Sequence, residues 1–205
     1  IETTVGTATK SFQLNGAGSH IKFFDALINN SMHLTIANPQ NRANTQFLFD
    51  GKITSKKWIN VNSNVKATFG ENSDFTEHNS ALRLIGKGNA ELTVQTAKNK
   101  FKTAGTKIIA NGGGTLIVDS EDVLGATIQV DANKILNLTV NKNQSNAGVI
   151  TIADSTTSAS TINLSVDSAV TSLNFADNSA SSWGNGKIVV TNFRDNVIGF
   201  GSNEN

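Results

Sequence analysis

The sequence predicts an all-β protein, and three observations favour a parallel β-helix within that class. Segments of three to five residues with apolar side chains two apart recur along the chain between Gly, Asn, Asp or Ser, which is typical of short strands joined by turns. Runs of helix-forming residues with apolar positions three and four apart are almost absent. In the second half, alternate strands return every 22 to 26 residues, as in a coil whose neighbours stack on it. A β-sandwich or jelly roll is the alternative architecture for this strand spacing.

Residues 1–110 form the less regular part and hold most of the aromatic side chains. Large rings fill a wide or capped end of a core better than a narrow aliphatic ladder. The best candidate for a helix is the short run 23–29. Strands are predicted at 12–14, 33–36, 47–49, 59–61, 67–69 and 82–85.

Residues 111–205 repeat more regularly. In a stacked coil, inward side chains form an aliphatic ladder while outward positions are free to be Thr, Asn or Ser. The segment Leu136-Asn137-Leu138-Thr139-Val140 has this alternation, and one ladder is predicted to run through Val94, Val118, Val140, Leu164 and Val190. Strands are predicted at 92–94, 116–118, 128–130, 136–140, 149–152, 162–166, 173–175 and 188–190.

We expect residues 1–205 to form a single domain with a weak subdivision near residue 110, because no Pro-rich or Gly/Ser-rich spacer separates the halves. The charge differs between the two parts. Residues 1–110 hold 13 basic and 7 acidic side chains, and residues 111–205 hold 4 and 9. A positive and a negative end favour head-to-tail self-association.

Composition excludes several classes of function. The chain has no Cys, so it has no disulfide framework, Cys-ligated metal or Cys nucleophile, and three His make other metal chemistry improbable. The net charge of +1 gives no field for nucleic acid, and no apolar run is long enough to span a membrane. We therefore expect no cofactor and no nucleic-acid partner. The chain starts at Ile1 rather than Met, which indicates a processed or excised piece whose membrane attachment would lie in an unseen part of its parent.

Several stretches within about residues 85–205 carry a family resemblance. Rungs such as Gly88-Asn89-Ala90-Glu91-Leu92-Thr93-Val94 and Gly113-Gly114-Thr115-Leu116-Ile117-Val118 resemble the passenger regions of bacterial autotransporters and related surface proteins. The closing stretches 182–193 and 196–201 look like the terminal part of such repeat regions, so the likeness covers about residues 85–205. The resemblance implies a secreted, right-handed β-helix on a bacterial surface, used for adhesion, self-association or a surface layer.

Carboxylates are the candidates for catalysis, since glycan-cleaving enzymes use Asp and Glu as acid and base. The densest cluster is Glu71, Asp74, Glu77 and His78, with Glu121 and Asp122 as a second pair. A solvated loop after the strand at 67–69 is the favoured interpretation, because no recognised catalytic motif accompanies the cluster. Four further Asp follow strands and suggest either calcium along one face or, as we prefer, turn-forming side chains. They are Asp131, Asp154, Asp167 and Asp177.

Binding candidates come from basic residues near aromatic rings. Trp58 follows two lysines and Phe101 lies among three, and such strips bind polyanions or stack on sugars. Lysines two apart also protect exposed strand edges from aggregation, and that interpretation is favoured. The candidates are Trp58, Lys56, Lys57, Lys98, Lys100 and Lys102.

The sequence as a whole predicts a non-catalytic extracellular bacterial surface fragment with a structural or adhesive function. Asn, Ser and Thr make up roughly a third of the chain, a composition suited to a long polar wall that makes many weak contacts with a host-cell or glycan ligand. One alternative is a self-assembling filament or surface-layer subunit, held by the charge asymmetry and by addition of the N-terminal segment 1–9 as a strand. The other is a β-helical polysaccharide lyase or hydrolase that uses the cluster at 71–78.

Overall fold

The computed structural model describes residues 10–13, 20–23, 26–28, 34–37, 45–55, 57–101 and 107–201. These residues form a parallel β-solenoid, in which every paired strand lies parallel to its neighbour in the next coil. Sheet I stacks β1 (Lys10–Gln13), β4 (Leu34–Ala37), β7 (Ile59–Val61), β9 (Leu82–Leu84), β11 (Lys107–Ala110), β13 (Thr127–Val130) and β16 (Ile150–Ile152). Sheet II stacks β2 (His20–Phe23), β5 (Thr45–Phe49), β8 (Val65–Phe69), β10 (Glu91–Val94), β12 (Gly114–Val118), β14 (Ile135–Val140), β17 (Thr161–Val166) and β19 (Lys187–Thr191).

A third, less regular face closes each coil. Its strands are β3 (Ala26–Ile28) paired with β6 (Ile53–Ser55), and β15 (Gln144–Ala147), β18 (Leu173–Phe175) and β20 (Ile198–Phe200) stacked in that order. Between these groups, a bridge joins Lys52 to Asp74. The 3-10 turn Lys98–Lys100 is the sole helix among the described residues. No helix in these ranges is long and apolar enough to cross a membrane.

Inward side chains of sheet II form two parallel ladders. The first places Phe49, Phe69, Val94, Val118, Val140 and Val166 above one another, and the second runs through Phe47, Ala67, Leu92, Leu116, Leu138, Leu164 and Val190. The predicted ladder is confirmed from Val94 to Val140. Beyond Val140 it is wrong, because Val140 pairs with Val166, whereas Leu164 pairs with Leu138 and belongs to the second ladder. Both ladders are buried along their length except at Val190. The prediction therefore placed Leu164 in the wrong ladder but on the correct, inward side of the sheet.

Aromatic rings widen the core in the earlier coils. Phe69 packs on Phe75 at 4.2 Å between ring centroids and edge-on to Phe49 at 5.8 Å, and Phe75 contacts Phe101 at 5.6 Å. All four rings are buried. They fill the corner between sheet II and the third face, and the aliphatic ladders of the later coils continue from them in one hydrophobic cluster.

The helix predicted at 23–29 is wrong. β2 ends at Phe23 and residues 26–28 form β3, which pairs in parallel with β6 of the next coil. Pairing with a neighbouring coil outweighs the weak local preference of a seven-residue run, since short helices gain little without tertiary packing. Besides β3, five strands had no prediction, namely β2, β6, β11, β15 and β20.

Candidate binding surface

Two of the predicted basic residues already bind carboxylates of adjacent coils. The ammonium of Lys98 lies 2.8 Å from Asp122 Oδ2, and that of Lys100 lies 2.9 Å from Asp74 Oδ2. The hydrogen bond and charge of Asp122 raise the pKa of Lys98 above its ordinary value. An anionic ligand at this strip would therefore compete with two carboxylates. Lys56 and Lys102 lie outside the described residues.

Trp58 belongs to a polar ladder on the outer surface of sheet I. Its ring is 40% exposed, and the guanidinium of Arg83 lies 4.1 Å from the ring centroid. Arg83 Nε donates to Asn111 Oδ1 at 2.5 Å, and the Asn111 amide donates in turn to Asp131. Trp58 and its neighbour Lys57 thus lie at the start of β7, whereas Lys98 and Lys100 lie on the 3-10 turn after β10.

Two carboxylates of the candidate catalytic cluster, Asp74 and Glu77, have lowered pKa values. Hydrogen bonds from Thr76, and then the ammonium of Lys100, lower the pKa of Asp74 to about 2. Hydrogen bonding and charge from Lys52, at 2.6 Å, lower the pKa of Glu77 as well. His78 is buried edge-on to Phe75. A general acid at neutral pH needs a raised carboxyl pKa, so this arrangement favours a structural role for both carboxylates.

Two of the strand-following aspartates, Asp167 and Asp177, make local turns. Asp167 Oδ1 accepts the backbone N–H of Ala169 at 2.8 Å, and Asp177 Oδ1 accepts that of Ser179 at the same distance. The hydrogen bond from Ser179 also lowers the pKa of Asp177. No three His, Asp or Glu side chains come together as a metal site within the parts of the chain that the structure describes. The turn-forming interpretation fits these bonds.

The outer surface of sheet II is a wall of mostly uncharged polar side chains. Asn163 Nδ2 donates to Asn137 Oδ1 at 2.9 Å across one coil. A second outward column, stacked by strand register, contains mostly Thr and Ser. From β5 onward its members are Leu48, Thr68, Thr93, Ile117, Thr139, Ser165 and Thr191.

A groove of about 720 Å³ lies at the corner where sheet I turns into sheet II. We call it the corner notch. The coil at its centre makes the turn with residues 111–113, whereas the coils on either side use the longer linkers 85–90 and 131–134. The central corner is tight because a Cβ on Gly112 would lie 1.6 Å from the carbonyl oxygen of Gly86, and Gly113 has φ +81°. The groove is the space left where the short linker 111–113 lies between the two longer linkers.

The walls of the corner notch bring together residues that the sequence did not single out. Lys87 lies on one side and Lys134 on the other, and Asn111, Asn137 and the half-exposed Ile135 also line the space. The signal in the sequence was the number of residues between successive strands, together with the Asn111-Gly112-Gly113-Gly114 run, whose residue types favour a tight turn. That signal needs strand bounds more accurate than the pattern alone supplies.

The fold and these surfaces define a parallel β-solenoid with polar outer faces. Comparison with protein-family models, curated proteins and solved structures finds no match for the chain.

Proposed function

We propose that the chain is a non-catalytic structural and adhesive module of an extracellular bacterial surface protein. The observation that carries the proposal is the outer wall of sheet II, where Asn, Thr and Ser columns run through consecutive coils. Such a surface suits many weak polar contacts with a partner. The resemblance of the rungs at 88–94 and 113–118 to autotransporter passengers supports the same location and role.

Coil-to-coil bonds support a role in which shape is maintained outside the cell. Several ion pairs link adjacent coils, including Lys52–Glu77 and Lys66–Glu91. The Asn133 side-chain oxygen, on the corner of one coil, accepts bonds from Thr157 and Ser158 of the next. These contacts favour a fixed spacing along the solenoid, and a fixed spacing is what a multivalent surface requires.

The test of the proposal is adhesion measured together with turnover. Beads that carry the purified chain are applied to mammalian cells and to immobilised glycans, and the same glycans are assayed for cleavage products. We expect retention of the beads without cleavage. Cleavage that disappears in Asp74→Ala and Glu77→Ala would instead establish the lyase or hydrolase alternative, and beads that bind none of the surfaces would overturn the adhesive role.

A second candidate function, self-assembly, is favoured by one observation. Within the described residues, β19 and β20 pair on one side only, and their coil leaves Phe193 at 65% and Phe200 at 48% exposure, although Phe200 stacks on Phe175 at 5.2 Å. An open strand edge with exposed rings is suited to strand addition. Segment 1–9, the predicted donor strand, lies outside the described residues. Negative-stain imaging at low and high salt distinguishes single rods from filaments, and filaments that persist without segment 1–9 would exclude it as the donor.

A further inference from the structure

We propose that the corner notch is a binding site for an anionic polysaccharide whose sugars carry carboxylate or sulfate groups. This inference rests on the proposed adhesive function and names the ligand class for it. The first support is charge. Lys87 and Lys134 both line the notch, and none of the described residues that line it is acidic.

These two lysines differ from the paired ones. Lys52, Lys66, Lys98 and Lys100 each hold a carboxylate of an adjacent coil within 3.3 Å. Lys87 and Lys134 have no ion pair with any residue in the described ranges. A pair of ammonium groups without carboxylate partners attracts an anion, and the effect is larger in a concave site than on an open surface.

The spacing of the walls suits a chain. The corners that carry Lys87 and Lys134 belong to coils two apart, which places their backbones about 10 Å from each other. A polysaccharide that lies over the short corner 111–113 would have one ammonium on each side. Gly112 and Gly113 of this corner place no side chain on that path.

The polar lining favours sugars over nucleic acid. Asn137 and Asn163 line the notch, and beside their mutual bond the Asn137 amide nitrogen can donate to a sugar hydroxyl and the Asn163 side-chain oxygen can accept from one. No aromatic side chain from the described ranges lines it. Single-stranded nucleic acids bind largely by stacking bases on aromatic rings, which this site does not offer.

The experiment measures binding of defined oligosaccharides to the folded chain by calorimetry at low salt. The probes are a hyaluronan oligosaccharide for the carboxylate, a heparin oligosaccharide for the sulfate, neutral dextran and single-stranded DNA. Lys87→Ala with Lys134→Ala removes both notch charges. Lys107→Ala with Lys142→Ala removes the same charge at sites that do not line the notch.

We expect at least one anionic oligosaccharide to bind the wild-type chain, to bind the Lys87/Lys134 variant about tenfold or more weakly, and to bind the control variant within about twofold of wild type. Binding should weaken with salt. Equal binding to the two variants would overturn the notch as the site, and equal binding of dextran or tighter binding of DNA would overturn the ligand class. Circular dichroism checks that both variants are folded.

The bead assay separates this inference from the proposed function. Adhesion that survives in the Lys87/Lys134 variant overturns the notch and leaves the adhesive role standing. Oligosaccharide binding by a wild-type chain whose beads adhere to nothing supports the notch and overturns the adhesive role.

Discussion

The side-chain oxygen of Gln144 accepts the backbone N–H of Leu124, one coil earlier, at 3.0 Å, although Gln144 is fully buried. The same oxygen accepts the N–H of Val123 at 2.9 Å, and its amide nitrogen donates to the carbonyl of Ser120 at 2.7 Å. Residues 119–126 form no strand. One amide side chain therefore satisfies the backbone groups that a strand of the third face would otherwise pair.

Replacing Gln144 with Leu should destabilise the fold by about 2–4 kcal/mol, because two buried N–H groups and a carbonyl lose their partner while the apolar volume is kept. Chemical denaturation measures the change. Gln95→Leu is the matched control, since Gln95 makes one outer-face bond to Asp119 at 3.3 Å, and it should cost less than about 1 kcal/mol. A similar loss for both variants would contradict the bridging role of Gln144.

Gln144 begins β15, a strand that the sequence pattern did not predict. Strands with alternating apolar residues, such as Leu136 to Val140, were predicted within a residue because the buried ladder imposes the alternation. β15 reads Gln-Ser-Asn-Ala and has no such signal. Its place is fixed by hydrogen bonds to the neighbouring coils, so it follows from stacking and not from local pattern. The corner notch depends in the same way on three successive linkers, each defined by its flanking strands.

Acid should destabilise the protein through Asp74. Its pKa is about 2 in the folded chain and near 3.8 in the unfolded chain, so its stabilising contribution is complete above about pH 4 and is lost as the pH falls towards 2. We expect the wild type to lose stability across this window more steeply than Asp74→Asn. Denaturation midpoints measured between pH 2 and pH 5 test this, and parallel curves for the two proteins would refute it.

Removing the two lysines of the 3-10 turn and removing the two lysines of the corner notch should affect anion binding differently. Lys98 and Lys100 already contact Asp122 and Asp74, and an incoming anion must displace those carboxylates. Lys98→Ala with Lys100→Ala should therefore weaken binding of an anionic oligosaccharide less than Lys87→Ala with Lys134→Ala does. Calorimetry with the same probe compares them. A larger loss in the strip variant would return the site to the basic residues singled out in the sequence.

The coil that contains β19 should depend on Arg194. Its guanidinium donates to the carbonyls of Asp167, Ser168 and Val170 at 2.7 to 2.8 Å, which fastens the loop of the previous coil. Arg194→Ala should reduce the local opening free energy of β19 by about 1–2 kcal/mol, a value below the full worth of charged bonds because the site is partly exposed. Hydrogen exchange should show faster exchange in β19 and unchanged protection in β12, and uniform loss across both strands would indicate global destabilisation instead.

The contact between Arg83 and Trp58 should control how solvent reaches the indole. The guanidinium lies 4.1 Å from the ring centroid, and Arg83 is itself fixed by its bond to Asn111. In a Trp183→Phe background, which leaves Trp58 as the sole indole, Arg83→Ala should raise acrylamide quenching of the fluorescence and cost about 0.5–1 kcal/mol of stability. Asn111→Ala should raise quenching less, because it removes the bond that orients Arg83 and leaves the cation in place. Quenching that stays at the parental level in Arg83→Ala would show that the guanidinium does not cover the ring in solution.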